Sequence, residues 1–261
     1  MNKRAAGAFV IFMFMGMIVF ITATLITFNT TNKKVIDEVN LIPVLKDFYN
    51  EQDKFLIYST ESSKLAASQA FYLVAKDSAI DKNKDSCRAD STSNTIVWSE
   101  SCNPDVNFVE TKFMEYFNDN FNSSIRKYPV KDFQTSYTNV LNGDKIDSNS
   151  QPIKLEAKRQ SSFAIFNLSY NFNSSIHTNL SEQKTLPDNF VDVYNNAINA
   201  KNKCNNDINC IKNKMNLGDW NLELEKSPSY IIFKLKTKTS YFYNDGADKF
   251  APIELNFALA L

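Results

Sequence analysis

A single histidine, His177, and only five glycines stand among the 261 residues. Each scarcity excludes chemistry. With one imidazole there is no His-pair metal site, and a Ser-His-Asp triad would depend wholly on His177. That residue lies in a polar stretch rich in Asn and Ser and reads as a solvated loop histidine. With so little glycine there is little bare backbone to cradle a phosphate. GxSxG, GxxxxGK(S/T) and HExxH are all missing. Charge of one sign is missing too: 29 basic residues face 29 acidic ones, without the basic excess that a nucleic-acid partner requires.

No CxxC pair occurs either, which deprives zinc of its usual ligand spacing. The segment Asp81-Lys82-Asn83-Lys84-Asp85 alternates oxygen ligands but lacks the Gly and closing Glu of an EF-hand loop, and reads as a lysine-rich turn. Paired carboxylates stay open as an acid–base device, since any two of 29 acidic residues can meet in a fold. Asp219 before Trp220, and Asp245-Gly246, read as structural turns. The expectation is a chain without catalytic, cofactor-binding or metal-binding residues, and not an enzyme.

Charge is absent altogether from Ala5 to Thr31. The 24 residues Ala5 to Phe28 would rise roughly 36 Å as a helix, against ~30 Å of hydrocarbon. The run is too long for the apolar core of a cleaved signal, and no Ala-x-Ala follows it. Lys3 and Arg4 precede it, so the short basic end is expected in the cytoplasm and the rest outside. The sequence thus divides into a cytoplasmic leader at 1–4, a transmembrane helix at 5–31, a stalk helix at 32–80 and an extracytoplasmic head at 81–261. Cys87, Cys102, Cys204 and Cys210 all fall in the head, where an oxidising compartment favours disulfides. The sequence-local pairing, Cys87 with Cys102 and Cys204 with Cys210, is expected.

Periodicity assigns the elements. Val35, Ile36, Val39, Ile42, Leu45 and Tyr49 recur at three- and four-residue spacing and place an apolar stripe on the stalk, with Pro43 kinking or breaking it. That stripe either meets a partner helix, from another copy or another protein, or is covered by the head itself. Thr95–Trp98 reads as a short strand. Asn103-Pro104 reads as a helix start, and Val109, Phe113, Phe117, Phe121 and Ile125 follow as a stripe at intervals of four. Residues 138–152 read as a loop. Alternation then predicts strands at 153–157, 166–172, 220–224, 231–237 and 253–259, with a helix from Pro187 and a short successor near Ile211. The fold class is α+β, a meandering antiparallel sheet covered by helices.

Five N-x-S/T sequons occur, at Asn29, Asn122, Asn167, Asn173 and Asn179. With 32 Asn and 39 Ser plus Thr, random placement already yields about 4.8, so their number carries no information. The last four are candidate glycosylation sites.

Lys3, Arg4 and Ala5, followed by the apolar Ala6–Phe28 and an exported stalk, resemble type IV pilin-like proteins. In that family the leader is cut before the helix and the helices bundle into a filament. The acidic residue that bacterial pilins carry near the start of the mature helix is absent here. The chain is also similar in style to membrane-anchored envelope proteins of archaea with small genomes, through its Lys-Arg leader and its Trp98–Pro104 element. The resemblance implies a structural or adhesive protein of the cell surface, with the lipid bilayer and a protein partner or second copy as its contacts. The alternatives are an exported ligand-binding domain feeding a membrane complex and, least favoured, a carboxylate-based envelope enzyme.

Overall fold

The computed structural model describes residues 17–30, 41–81, 87, 95–160, 165–215 and 217–261. The chain divides into two compact units: Met1–Asp53 with Lys154–Asn171, and Lys54–Ile153 with Phe172–Leu261.

In the first unit residues 17–30 form helix α1. Its large apolar side chains find no protein cover, from Ile21 at 50% exposed to Phe20 at 70%. Among the described residues no helix is long and apolar enough to cross a membrane. The apolar run 5–31 extends past them at both ends, so the expected span lies partly outside the described residues. Helix α2 (Leu41–Lys76) contributes its first turns here. The rings of Phe48 and Tyr49 gather on Tyr170, and the Tyr170 hydroxyl donates to Gln52 Oε1 at 2.8 Å. Val35, Ile36 and Val39 of the expected stripe lie outside the described residues, as does any account of the Ile42 side chain. Leu45 and Tyr49 are exposed. Strands β4 (Ile153–Gln160) and β5 (Ile165–Phe172) form a two-stranded sheet.

In the second unit α2 is not a free-standing stalk. Phe55, Ala67, Ala70 and Phe71 are fully enclosed, because a row of small residues lets other elements approach its backbone. The helix ends in a Schellman turn: Ala79 N–H donates to Val74 O and Ser78 N–H to Ala75 O, both at 2.9 Å. Ser78 and Ala79 occupy the left-handed region that normally favours glycine. Trp98 Nε1 donates to Ser78 O and Ser78 Oγ donates to Asn256 O, fixing that strained turn from both sides.

The larger sheet runs β1 (Val97–Trp98), β9 (Asp248–Ala260), β8 (Tyr230–Asn244), β7 (Trp220–Lys226). It is not wholly antiparallel, because β1 pairs with β9 in parallel. Ile231, Phe233 and Leu235 lie opposite Leu259, Phe257 and Leu255, and all six are buried. Each such side chain contributes ~1.5–3 kcal/mol through burial. Trp98 stacks on Phe257 at 3.6 Å, and Phe71 of α2 meets Phe190 of α5 (Asn189–Cys204) at 4.7 Å on the same inner face. The outer face is charged, with Lys234–Glu225 and Lys236–Glu254 pairing across strands.

Helix α3 (Val106–Arg126) buries Val109, Phe113, Phe117, Phe121 and Ile125, each at most 1% exposed. Its N-cap is Asp105, whose carboxylate accepts from Phe108 N–H, in place of the expected Asn103. Residues 138–152 are no loop. They form a hairpin of β2 (Tyr137–Asn142) and β3 (Lys145–Ser150), turning through Gly143-Asp144 with only Gly143 at positive φ, as a type II′ turn requires. Strand β6 (Ser175–Asn179) completes this sheet along β3 and carries His177, which is therefore a strand residue. Short α4 (Leu180–Gln183) precedes α5, and α6 (Ile208–Lys214) follows it. Disulfides join Cys87 to Cys102 and Cys204 to Cys210, with Cα atoms 5.1 and 5.6 Å apart.

Candidate interaction surface

The β8–β9 hairpin breaks register between Lys236 and Ser240, and its outer half continues to the turn at Asp245-Gly246-Ala247. Gly246, at φ +79°, supplies the positive φ that a tight turn demands. Helix α2 clamps this tip. Gln69 Nε2 donates to Asn244 O at 3.0 Å while Gln69 Oε1 accepts from Asn244 N–H at 2.6 Å, so one side-chain amide imitates a neighbouring strand. Tyr72 stacks on Tyr243 at 4.1 Å, and Lys76 Nζ reaches Asp245 Oδ1 at 2.8 Å. The Lys76 ammonium first, then the Tyr72 hydroxyl and Lys249, hold the Asp245 carboxyl well below the usual carboxylate range. Deeper in the strand, burial pushes the Tyr241 phenol up to about 12.

Alternation settles what the clamped tip shows to water. Tyr241 points inward and Tyr243 lies on α2, so Phe242 must point out. Its cross-strand partner Phe250 does the same, and the two rings lie 4.6 Å apart at 56% and 63% exposed. Beside them a groove of about 330 Å³ is lined by Leu65, Gln69, Asn120, Ser124, Phe242 and Asp248, among others. Apolar side chains held rigidly in water with a polar rim mark an interaction site more often than an accident of folding. The surface offers contacts and no reactive centre.

The groups with chemical potential lie elsewhere. Asp147 and His177 face each other across β3 and β6, with Oδ1 and Nδ1 2.6 Å apart. Hydrogen bonding from His177, then from Asn142, lowers the Asp147 pKa. This resembles the Asp–His half of a triad, but the neighbouring Ser175 hydroxyl donates to Asn149 instead. A second cleft of about 270 Å³ gathers Asp192, Asp219, Asn189, Asn196 and Trp220. Asp219 there is tied to Lys184 at 2.5 Å, which takes one of the two carboxylates out of service. Among the described residues no group of three His, Cys, Asp or Glu could hold a metal ion.

The sequons fare differently from one another. Asn122 is half-buried in α3 with its Oδ1 enclosed, and Asn179 caps α4 by accepting from Glu182 N–H. Asn167 and Asn173 are exposed. Phe242 and Phe250 carried no signal in the sequence as a site, because alternation there reads simply as strand. The Asn142-Gly143-Asp144 turn signal, by contrast, was available and would have found the β2–β3 hairpin and with it the Asp147–His177 pair. No family model, no characterised protein and no solved structure matches the chain.

Proposed function

We propose that this chain is a single-pass membrane protein that displays its disulfide-bonded α+β region outside the cytoplasm, in a non-catalytic structural or adhesive role at the cell surface. Helix α1 carries the proposal. Its eight large apolar side chains are all at least half exposed. Its threonine hydroxyls ask nothing of water: Thr22, Thr24, Thr27 and Thr30 each donate to the carbonyl four residues earlier, at 2.6–2.8 Å. A helix in lipid must satisfy its polar groups within itself, and these four hydroxyls do so. The uncharged run 5–31 supplies the remaining length, and the two disulfides favour an oxidising compartment. The exposed Leu45 and Tyr49 extend the apolar character toward a partner helix, from a second copy or another protein.

Cysteine accessibility on intact cells tests the topology. A cysteine introduced at Asn149, on the outer sheet face, is expected to react with a membrane-impermeant maleimide, whereas one at Asn2 is not. A protected Asn149 position overturns the proposal. A second reading, an exported ligand-binding domain serving a membrane complex, draws on the 330 Å³ groove. The Val39→Glu, Leu45→Glu double variant separates them: dissociation of a self-assembly with a folded head supports the structural role, and unchanged assembly favours the ligand-binding one.

A further inference from the structure

We propose that Asn173 is an N-glycan acceptor of the folded, displayed protein. The inference rests on the export proposed above, since the donor is a lipid-phosphate-linked oligosaccharide on the non-cytoplasmic side. In the transfer the Asn173 amide nitrogen forms a bond to the anomeric carbon. The bond from that carbon to the phosphate oxygen breaks, the lipid phosphate leaves with the electron pair, and the amide proton passes to the transferase.

Geometry singles out this asparagine among the sequons. Acceptance requires a free amide, and a folded product requires open space for a sugar chain. Asn122 fails on space, for its Oδ1 is enclosed within the packing of α3. Asn179 fails on freedom, because its Oδ1 accepts from Glu182 N–H and pins the side-chain amide at the N-cap of α4. Asn29 sits in the last turns of the apolar helix, against the proposed bilayer. Asn167 is exposed but lies inside β5, where its backbone belongs to a ladder. Asn173 follows the last residue of β5 and lies in the two-residue connection to β6, outside both strands. Its side chain is exposed, and no hydrogen bond engages its amide among the described residues. The connection itself is anchored by Ser174. Ser174 N–H donates to Ser150 Oγ and Ser174 O accepts from Ser150 N–H, while Tyr137 donates to Ser174 Oγ. Those bonds hold the backbone while the Asn173 side chain projects freely, so a glycan there disturbs no packed group.

The test is occupancy mapping of the full chain expressed in a secretory host that makes N-glycans. The membrane-bound, oxidised, protease-resistant population is treated with peptide-N-glycosidase in heavy-oxygen water and the labelled aspartates are located by peptide mass. Label is expected at Asn173 and absent at Asn122 and Asn179. Asn173→Gln is expected to fold and to lose the corresponding glycan mass. A folded, exported chain with unlabelled Asn173 overturns this inference and leaves the export reading standing. A chain that stays on the cytoplasmic side, by protease digestion of sealed vesicles, overturns both.

Discussion

Helices α1 and α3 are both rich in phenylalanine and aliphatic side chains, yet they spend them in opposite ways. In α3 the buried residues Val109, Phe113, Phe117, Phe121 and Ile125 recur every fourth position, and most of the remaining positions are polar or charged. Such a helix has one face for a core and one for water, and Phe113, Phe117 and Phe121 are completely enclosed. Residues 17–30 carry no charge, and all eight of their large apolar side chains are at least half exposed. What separates the two helices is the distribution of polar residues and not the amount of hydrophobicity. The first pattern builds a protein interior, and the second is the one on which the proposed membrane anchor rests.

The comparison breaks most visibly at matched phenylalanines. Phe117→Ala, in the enclosed stripe, is expected to lower unfolding stability by about 3–5 kcal/mol, as a large buried ring leaves a cavity. Phe20→Ala, at a site 70% exposed, is expected to leave the denaturation midpoint in detergent where it was. Guanidinium titration followed by tryptophan fluorescence reads both. Equal effects would mean that α1 packs on protein after all.

A charge sharpens the contrast from the other side. Ile21→Lys near the middle of α1 is expected to weaken membrane insertion by roughly 2.5–3.5 kcal/mol, the translocon cost of a central lysine. The readout is the fraction of chain that resists alkaline extraction of membranes, and no change would remove the bilayer from the account. Disulfides come next. Reducing Cys87–Cys102, which closes 15 residues, is expected to cost about 3 kcal/mol, and Cys204–Cys210, which closes six, about 2 kcal/mol. Denaturation of the single Cys102→Ala and Cys210→Ala variants ranks them, and a larger loss at Cys210 would contradict the loop-length argument.

Legibility in the sequence followed the same division. Elements with a strong period declared themselves: the α3 stripe names the residues that are buried, and the alternations at 231–237 and 253–259 mark the inner halves of β8 and β9. The hairpin at 137–150 did not, because its strands carry Asn, Asp, Ser and Lys outward and only Tyr137, Ile146 and Ser148 inward. A polar sequence hides a strand that has one small buried face. The parallel pairing of β1 was also illegible, since two residues have no period. The long α2 read as a stalk because its buried face from Ser59 to Ala70 is made of serines and alanines, which hydropathy scores weakly as core. Nothing in the sequence distinguished Phe242 and Phe250 from buried strand residues. Their exposure follows from Gln69 and Tyr72 holding the hairpin tip, a contact across more than 170 residues.

The smallest effect concerns that tip, where charge instead of burial does the holding. Asp245 lies against Lys76 at 2.8 Å and Lys249 at 3.2 Å, and with Tyr72 they depress its pKa below the ordinary carboxylate value. A carboxyl more acidic when folded than when unfolded contributes stability that is complete above the unfolded pKa, about 4, and drains away as pH falls toward the folded one. The tip should therefore loosen below about pH 4, whereas an Asp245→Asn variant, with no proton to gain there, should show a flatter profile. The lysine side chains are 55% and 46% exposed, so water and salt screen both pairs and the effect stays far below that of Phe117→Ala. Hydrogen exchange of the Asn244 amide, which Gln69 Oε1 accepts from, is the sensitive probe. Exchange should quicken on acidification in the wild type once the intrinsic rate is divided out, and high salt at neutral pH should reproduce part of that rise. An amide indifferent to both would assign the clamp to Gln69 and the Tyr72–Tyr243 stack alone, and would return even this surface contact to the rule that α3 obeys, in which packing decides.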